Sequence, residues 1–230
     1  FFEALTAGNI VYVKNEAMTT SGAISVTNPG TATAPLIIRG YNTARDDNPK
    51  TNATRPTITI GAATFSFVGS YWQIQYLNFT CSVATGVLIT QLSHIAWCDV
   101  SQSGTGVAIQ LNGTQGLVYA CSVDTAGGTG IYLAGGSLCK VIAGTANSLI
   151  LNTIIQGAST SAITIDAGIV RSSIISCTLY GAETPAGTGI AQATGGEPGH
   201  IILNNIIYGC TTGITMGSSE LSEYADYNTF

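Results

Sequence analysis

Apolar residues in this chain fall into short alternating runs separated by Gly, Pro and Asn, the pattern of strands and turns. From residue 71 onward the runs share a unit. An apolar strand leads to a single Asn or Cys, an aliphatic residue stands two positions later, and a Gly-apolar pair follows. The unit recurs six times, with Asn78, Cys98, Cys121, Asn152, Cys177 and Asn205 as its markers. Two residues on stand Thr80, Val100, Val123, Ile154, Leu179 and Ile207, five of the six aliphatic. The pairs are Gly86-Val87, Gly106-Val107, Gly130-Ile131, Ala162-Ile163, Gly189-Ile190 and Gly213-Ile214, and alternation continues to Ile89, Ile109, Leu133, Ile165, Ala191 and Met216.

Successive markers lie 20 to 31 residues apart. Such uneven spacing excludes a rigid helical repeat and suits a solenoid of stacked coils, in which strands keep register while turns vary in length. The expected fold is therefore all-β, a right-handed parallel β-helix. Coils stack about 4.8 Å apart, so like residues sit over like residues. The markers should then form one axial column, with stacked Asn amides bonded along the axis and Cys as a small buried substitute. On this reading Cys98, Cys121 and Cys177 are free buried thiols rather than bridges, although their spacing would permit oxidation between neighbouring coils.

Residues 1–70 fit the architecture less regularly. Strands are expected at Ile10–Val13, Ile24–Val26, Leu36–Arg39, Ile58–Ile60 and Phe65–Phe67. The irregular stretch 41–56 holds Arg45, Asp46, Asp47, Lys50 and Arg55 and is expected as a surface excursion. Phe1–Leu5 suggests the last turn of a helical cap, and Asp226-Tyr227-Asn228 restarts the strand pattern. The expected organisation is one β-helix domain over 1–230, with irregular coils over 1–70 and regular coils over 71–230, cut from a longer chain.

Composition narrows the partners. Charged residues are only 8% of the chain, against about 25% in an average domain, so Ser, Thr, Asn, Gln and Gly must cover its surface. Seven dispersed bases against twelve acids give a net charge of −5, without the clustered basic face that nucleic acid requires. No apolar run approaches the roughly 20 residues of a membrane span. Six cysteines in an even number suggest an oxidising compartment, and no Cys/His spacing supports zinc.

Three runs carry a resemblance. Ala7-Gly8-Asn9-Ile10-Val11-Tyr12-Val13-Lys14, Gly30 to Tyr41 and Ser70-Tyr71-Trp72-Gln73-Ile74 resemble the opening coils of pectate-lyase-like right-handed β-helix proteins, and Leu203 to Ile207 resembles their repeat unit. That family joins lyases, hydrolases, epimerases, tailspikes and noncatalytic surface proteins on one scaffold, so the resemblance implies the fold and leaves activity open. A lyase of this family would use a Lys or Arg base beside carboxylates that hold calcium. The sparse acids offer Asp99 and Asp124, which could approach across adjacent coils, with Lys140 or Arg171; solvated turn residues are the plainer reading. Glu220, Glu223 and Asp226 form an acidic cluster that could hold calcium or merely solvate. The family's hydrolases resemble one another in a paired-Asp and a Gly-His-Gly motif; Asp46-Asp47 lies in a loop and Gly199-His200-Ile201 lacks the second Gly, so both matches fail. His94 and His200 read as strand-edge residues.

Tyr76 and Tyr119 are expected in one column with Ala96, Ile150, Ile175 and Leu203, as core, as a protein contact, or as a platform for glycans. Two functions follow. One is a noncatalytic structural or adhesive rod of an extracellular, cell-surface or virion assembly, needing no cofactor and binding glycans along a groove. The other is a carbohydrate-active enzyme, a polysaccharide lyase before a glycoside hydrolase. Poor charge and absent motifs favour the first, and the resemblance favours the second. Solenoid edges and an uncharged surface also predict cover by other protein chains or by further coils of the same chain.

Overall fold

The computed structural model describes residues 5–20, 22–61, 64–82, 85–89, 92–112, 116–126, 128–134, 149–158, 160–166, 172–181, 187–194, 199–217, 224–226 and 228–230. Short strands run through three parallel sheets of nine, eight and eight strands, each sheet taking every third strand of the chain. This is the expected parallel β-helix. The helical cap proposed at its start falls mainly outside the described residues.

From Tyr76 to Asn204 each described coil passes from the first sheet to the second through a two-residue corner. Its first residue takes a left-handed backbone: Tyr76, Trp97, Ala120, Asn152, Ser176 and Asn204 all have φ between 47° and 55°. For a residue with a Cβ this costs roughly 1–2 kcal/mol. The neighbouring coil offsets it, because the Trp97, Ala120, Asn152 and Ser176 N–H groups donate to the carbonyls of Tyr119, Leu151, Ile175 and Leu203 at 3.0–3.2 Å. The second corner residue turns inward, and parallel registers stack Leu77, Cys98, Cys121, Thr153, Cys177 and Asn205 there.

This inner column contains Cys98, Cys121, Cys177 and Asn205, as expected, but not Asn78 or Asn152. Asn78 follows the corner by one residue and faces outward from the second sheet, paired in register with Asp99. Asn152 is itself the left-handed residue, a conformation Asn tolerates better than most. The aliphatic column likewise reads Phe79, Val100, Val123, Ile155, Leu179 and Ile207, so Thr80 and Ile154 yield to their neighbours.

The column's chemistry is that of a donor meeting carbonyls inside the solenoid. Asn205 Nδ2 donates to the Ile174 carbonyl (3.0 Å), its Oδ1 accepts the Cys177 N–H (2.9 Å), and Asn228 repeats the pattern against Ile202 and Asn205. Thr153 Oγ1 reaches Leu151, and the Cys98, Cys121 and Cys177 thiols reach Ala96, Tyr119 and Ile175. All described cysteines are free.

The second and third sheets meet the interior with a column of small residues, Gly86, Ala108, Gly130, Ala162, Gly189 and Gly213. A Cβ on Gly130 would lie 2.4 Å from Ile155 Cγ2. The Gly106-Val107 pair is therefore displaced by two residues, with Ala108-Ile109 in its place. Alternation accordingly continues through Leu111 rather than Ile109, and through Gln192 rather than Ala191. The five strands expected before residue 70 are present. A further strand, Ala17–Thr20, was invisible to the apolar pattern because its residues are polar or exposed.

A polar column also lines the corner from third to first sheet. Ser93 Oγ accepts the Trp72 N–H (3.1 Å) and His200 Nδ1 accepts the Ser172 N–H (3.1 Å). Gln73 and His94, Ser173 and Ile201 pair just after these groups, so Ser93 and His200 occupy equivalent inward positions. His200 is a buried structural group.

Burial holds the Cys81 and Cys177 thiols up to about 11 and the Cys121 thiol up to about 12. A folded-state value raised above the unfolded one gives stability that is complete below about pH 9 and is lost as pH climbs toward 11–12. Urea denaturation at rising pH should therefore show a shallower stability loss in Cys121→Ser than in the parent. Cys121→Asp should cost about 3 kcal/mol or more by placing an unpaired carboxylate in the column.

Candidate functional site

The outer face of the second sheet gathers most of the chain's chemistry. Successive coils place Thr57, Asn78, Asp99, Ser122, Ile154, Thr178 and Ile206 in one outward column. Thr59, Thr80, Ser101, Asp124, Gln156, Tyr180 and Tyr208 form the next. Strand alternation makes both columns unavoidable, because the residues between them fill the core.

Toward the N-terminal coils the face is a polar hollow of about 280 Å³ that includes Asn78, Asp99, Ser101, Ser122, Asp124 and Gln156 in its wall. Asp99 and Asp124 do share it, on adjacent coils but staggered by two residues, since Asp99 stands beside Ser122 and Asp124 beside Ser101. Lys140 and Arg171 lie outside the described residues. So do Glu220 and Glu223, while for Asp226 only the backbone, in the strand Tyr224–Asp226, is described.

The basic partner of Asp99 is instead Arg55, from the end of the 41–56 excursion. Its Nη1 binds Asp99 Oδ2, its Nε donates to the Pro49 carbonyl (3.1 Å) and its Nη2 to the Lys50 carbonyl (3.3 Å). Arg55 is buried, and the pair pins the excursion to the sheet. Burial raises the Asp99 carboxyl above its ordinary value, while the Arg55 charge and hydrogen bond oppose that shift.

The paired acids of the excursion are structural in effect. Asp47 accepts the N–H groups of Asn42, Thr43 and Ala44 (2.7–3.3 Å), and Asp46 lies 3.6 Å from Arg39. The Thr43 N–H leads the contacts that lower the Asp47 carboxyl.

Beyond Gln156 the face turns aromatic. Tyr180 and Tyr208 stack at 5.5 Å between centroids and 24° between planes, both exposed, with exposed Ile154 and Ile206 in the adjacent column. The face of Tyr180 turned from Tyr208 looks back along the column toward Gln156. Hydroxyls, amides and carboxylates thus lead to an aromatic wall, an arrangement suited to the hydroxyls and apolar ring faces of a sugar chain. Asp99, committed to Arg55, and Asp124 supply the two carboxylates of this hollow. Among the described residues no three His, Cys, Asp or Glu side chains gather to hold a metal.

Tyr119 faces outward on the first sheet, in the column Gln75, Ala96, Tyr119, Leu151, Ile175 and Leu203. Tyr76 and Ile150 do not belong to it: Tyr76 is the corner residue after Gln75, and Ile150 points into the core. Trp97 joins the two tyrosines, stacked on Tyr76 at 5.1 Å and edge-on to Tyr119 at 5.4 Å. Tyr180 and Tyr208 each follow an aligned aliphatic position, Leu179 and Ile207, so the repeat itself carried their stacking. Arg55 had no such signal.

Replacing Arg55 with Ala should cost about 3 kcal/mol, because Asp99 would be left charged in a largely buried position. Adding Asp99→Asn should recover most of that loss. Urea denaturation of the single and double variants checks both outcomes.

No family model and no curated protein sequence matches the chain. Two solved structures share its course. The crystal structure of pectate lyase Pel9A superposes with a TM-score of 0.63 at 9% identity, over 99% of this chain and 72% of that one. A mannuronic acid specific polysaccharide family 6 lyase from human gut microbiota gives 0.65 at 15% identity, over 98% of this chain. This chain spans 59% of that second protein's length. No helix among the described residues is long and apolar enough to cross a membrane. Identities this low speak for the fold alone: the chain is a parallel β-helix that resembles these lyases in scaffold.

Proposed function

We propose that this β-helix is an adhesive, noncatalytic rod that holds a polysaccharide lengthwise along the outer face of its second sheet. The observation that carries the reading is the continuity of the polar hollow with the stacked Tyr180–Tyr208 pair on one flat face. Column members repeat about every 4.8 Å along the axis, so a linear sugar chain meets a hydroxyl, amide or carboxylate at each coil from Thr80 to Gln156 and then an aromatic ring. Asp124 leaves the hollow net negative once Arg55 has balanced Asp99, which favours uncharged sugars over uronates. The rod belongs at an extracellular, cell or virion surface, where such polymers are met. Exposed Ile201 and Ile206 in the C-terminal coils favour cover by further coils or other chains.

A second reading, a polysaccharide lyase, draws on the convergence of Arg55, Asp99 and Asp124 beside one hollow, and on the fold shared with two lyases. In that case Asp99 or Asp124 takes the proton beside the uronate carboxylate, the electron pair closes a carbon–carbon double bond and the glycosidic oxygen leaves with a proton from water. Arg55 meanwhile favours the ionised form of Asp99.

Gel electrophoresis through neutral polysaccharides should retard the chain, and Tyr180→Ala with Tyr208→Ala should weaken the retardation about tenfold, from a loss of roughly 1.4 kcal/mol in stacking. Rising ultraviolet absorbance with pectate or polymannuronate, abolished by Asp99→Asn, would instead establish the lyase. Absence of both retardation and turnover would reject both readings.

A further inference from the structure

On the opposite side of the aromatic corner, the outer face of the first sheet carries two adjoining hollows. One of about 280 Å³ is lined by Ala32, Pro35, Tyr71, Gln73, Leu92 and His94. The other, about 150 Å³, lies over Ala96 between Gln75 and Tyr119 on the adjacent strands, with His94 and Trp97 before and after it along its own strand. Gln73 and His94 border both. Together the hollows form a trough that runs along the strands, from Tyr71 and Leu92 to Trp97, within the size range of ligand clefts, roughly 300–1,000 Å³.

The backbone is strained at both rims. Tyr71 and Leu92 have φ of 60° and 56° at one end, and Trp97 has 53° at the other. Bulky residues rarely adopt this conformation; at Trp97 it is the corner geometry that the coils share, and it fixes where the side chain stands. Here it stands a tyrosine and a leucine at one end and an indole at the other. Ala96 provides the floor, a small side chain between Gln75 and Tyr119 in a column that continues through Leu151, Ile175 and Leu203.

The polar wall has a fixed orientation. Arg39 Nε donates to Gln75 Oε1 (2.9 Å), which settles the Gln75 amide because a guanidinium can only donate. Gln75 Nε2 then donates to Gln73 Oε1 (3.4 Å), and the Gln73 amide nitrogen is left as a donor toward the shared wall. Burial lowers the His94 pKa, so its imidazole is neutral at physiological pH, and no formally charged side chain lines either hollow. Arg39, the nearest cation, is held by Gln75 and Asp46. A ligand for this trough presents hydroxyl groups, an apolar ring face and no net charge.

We propose that this trough is a second carbohydrate site, independent of the second-sheet face, that takes two neighbouring sugar units of a neutral oligosaccharide along the strands. One unit lies over Ala96 against Trp97 and Tyr119, and the next lies beside Tyr71 and Leu92, with Gln73 and His94 bonding the hydroxyls between them. A uronate gains nothing here, because among the described residues no free cation meets its carboxylate.

The chain offers a built-in reporter. It has two tryptophans; Trp72 is fully buried with its Nε1 donating to the Asn28 carbonyl, so a ligand-dependent change in emission reports Trp97. Emission is titrated with hexasaccharides of glucose, mannose and xylose, and with hexauronates. A saturable change is expected with at least one neutral series and none with the uronates. Trp97→Phe should abolish the signal, and calorimetry should show affinity about tenfold weaker in Ala96→Leu, which fills the notch with a side chain the same column already carries at Leu151. Gln73→Leu, at a half-buried outward position, should weaken binding comparably. Tyr180→Ala with Tyr208→Ala should leave the emission change intact, which separates this site from the other face. Absence of a saturable change with every neutral series, affinity unaltered in Ala96→Leu and Gln73→Leu, or a signal lost only in the tyrosine variants would overturn the proposal.

Discussion

Axial stacking of identical corners governs this structure. A parallel coil repeats about every 4.8 Å, so whatever stands at a corner must tolerate its own likeness above and below. Between the first and second sheets that corner is a strained left-handed residue followed by an inward one, and the inward residue lies among carbonyls that solvent does not reach. Cys98, Cys121, Thr153, Cys177 and Asn205 each supply a donor there. Apolar Leu77 occupies the same column, which shows that the donor is dispensable where neighbouring strands already satisfy the backbone. The core columns of Ile, Val and Leu follow from the same rule, since a side chain that stacks well on itself fills a narrow interior without voids.

The outer surfaces inherit their order from the inner ones. Once alternate residues are committed to the core, the remainder are aligned in straight columns whether or not they act together. Asp99 and Asp124 meet in one hollow because their coils are neighbours, and Tyr180 stacks on Tyr208 because Leu179 stacks on Ile207. The excursion over 41–56 departs from this regularity and returns by an ion pair to Asp99, which brings a cation that column logic would not have placed there.

That difference explains what the sequence revealed. The solenoid and most of its registers were legible because Cys98, Cys121, Cys177 and Asn205 recur beside aliphatic neighbours. Asn78 and Asn152 misled by one residue, since Asn serves equally in a polar column, at a left-handed corner, or on an outer face. Gly106 misled by two because glycine also serves turns, whereas the column needs only a small side chain and accepts Ala108. One misplaced residue carries a side chain to the opposite face of a strand, and so Tyr76 seemed to share a column with Tyr119 while Trp97, the residue between them in space, went unread. Arg55 was hidden for another reason: its partner is set by the path of a loop, which no local pattern encodes.

The uniform corner has a consequence for how such a molecule can change over time. From Tyr76 to Asn204 each described coil begins and ends with the same backbone geometry, so a whole coil is a unit that can be inserted or removed while the joints on either side still fit. The rod is in that sense a ruler graduated in coils. A surface feature on one coil is held at a whole number of steps from a feature on another, and adding a step lengthens the gap between them without redesigning either.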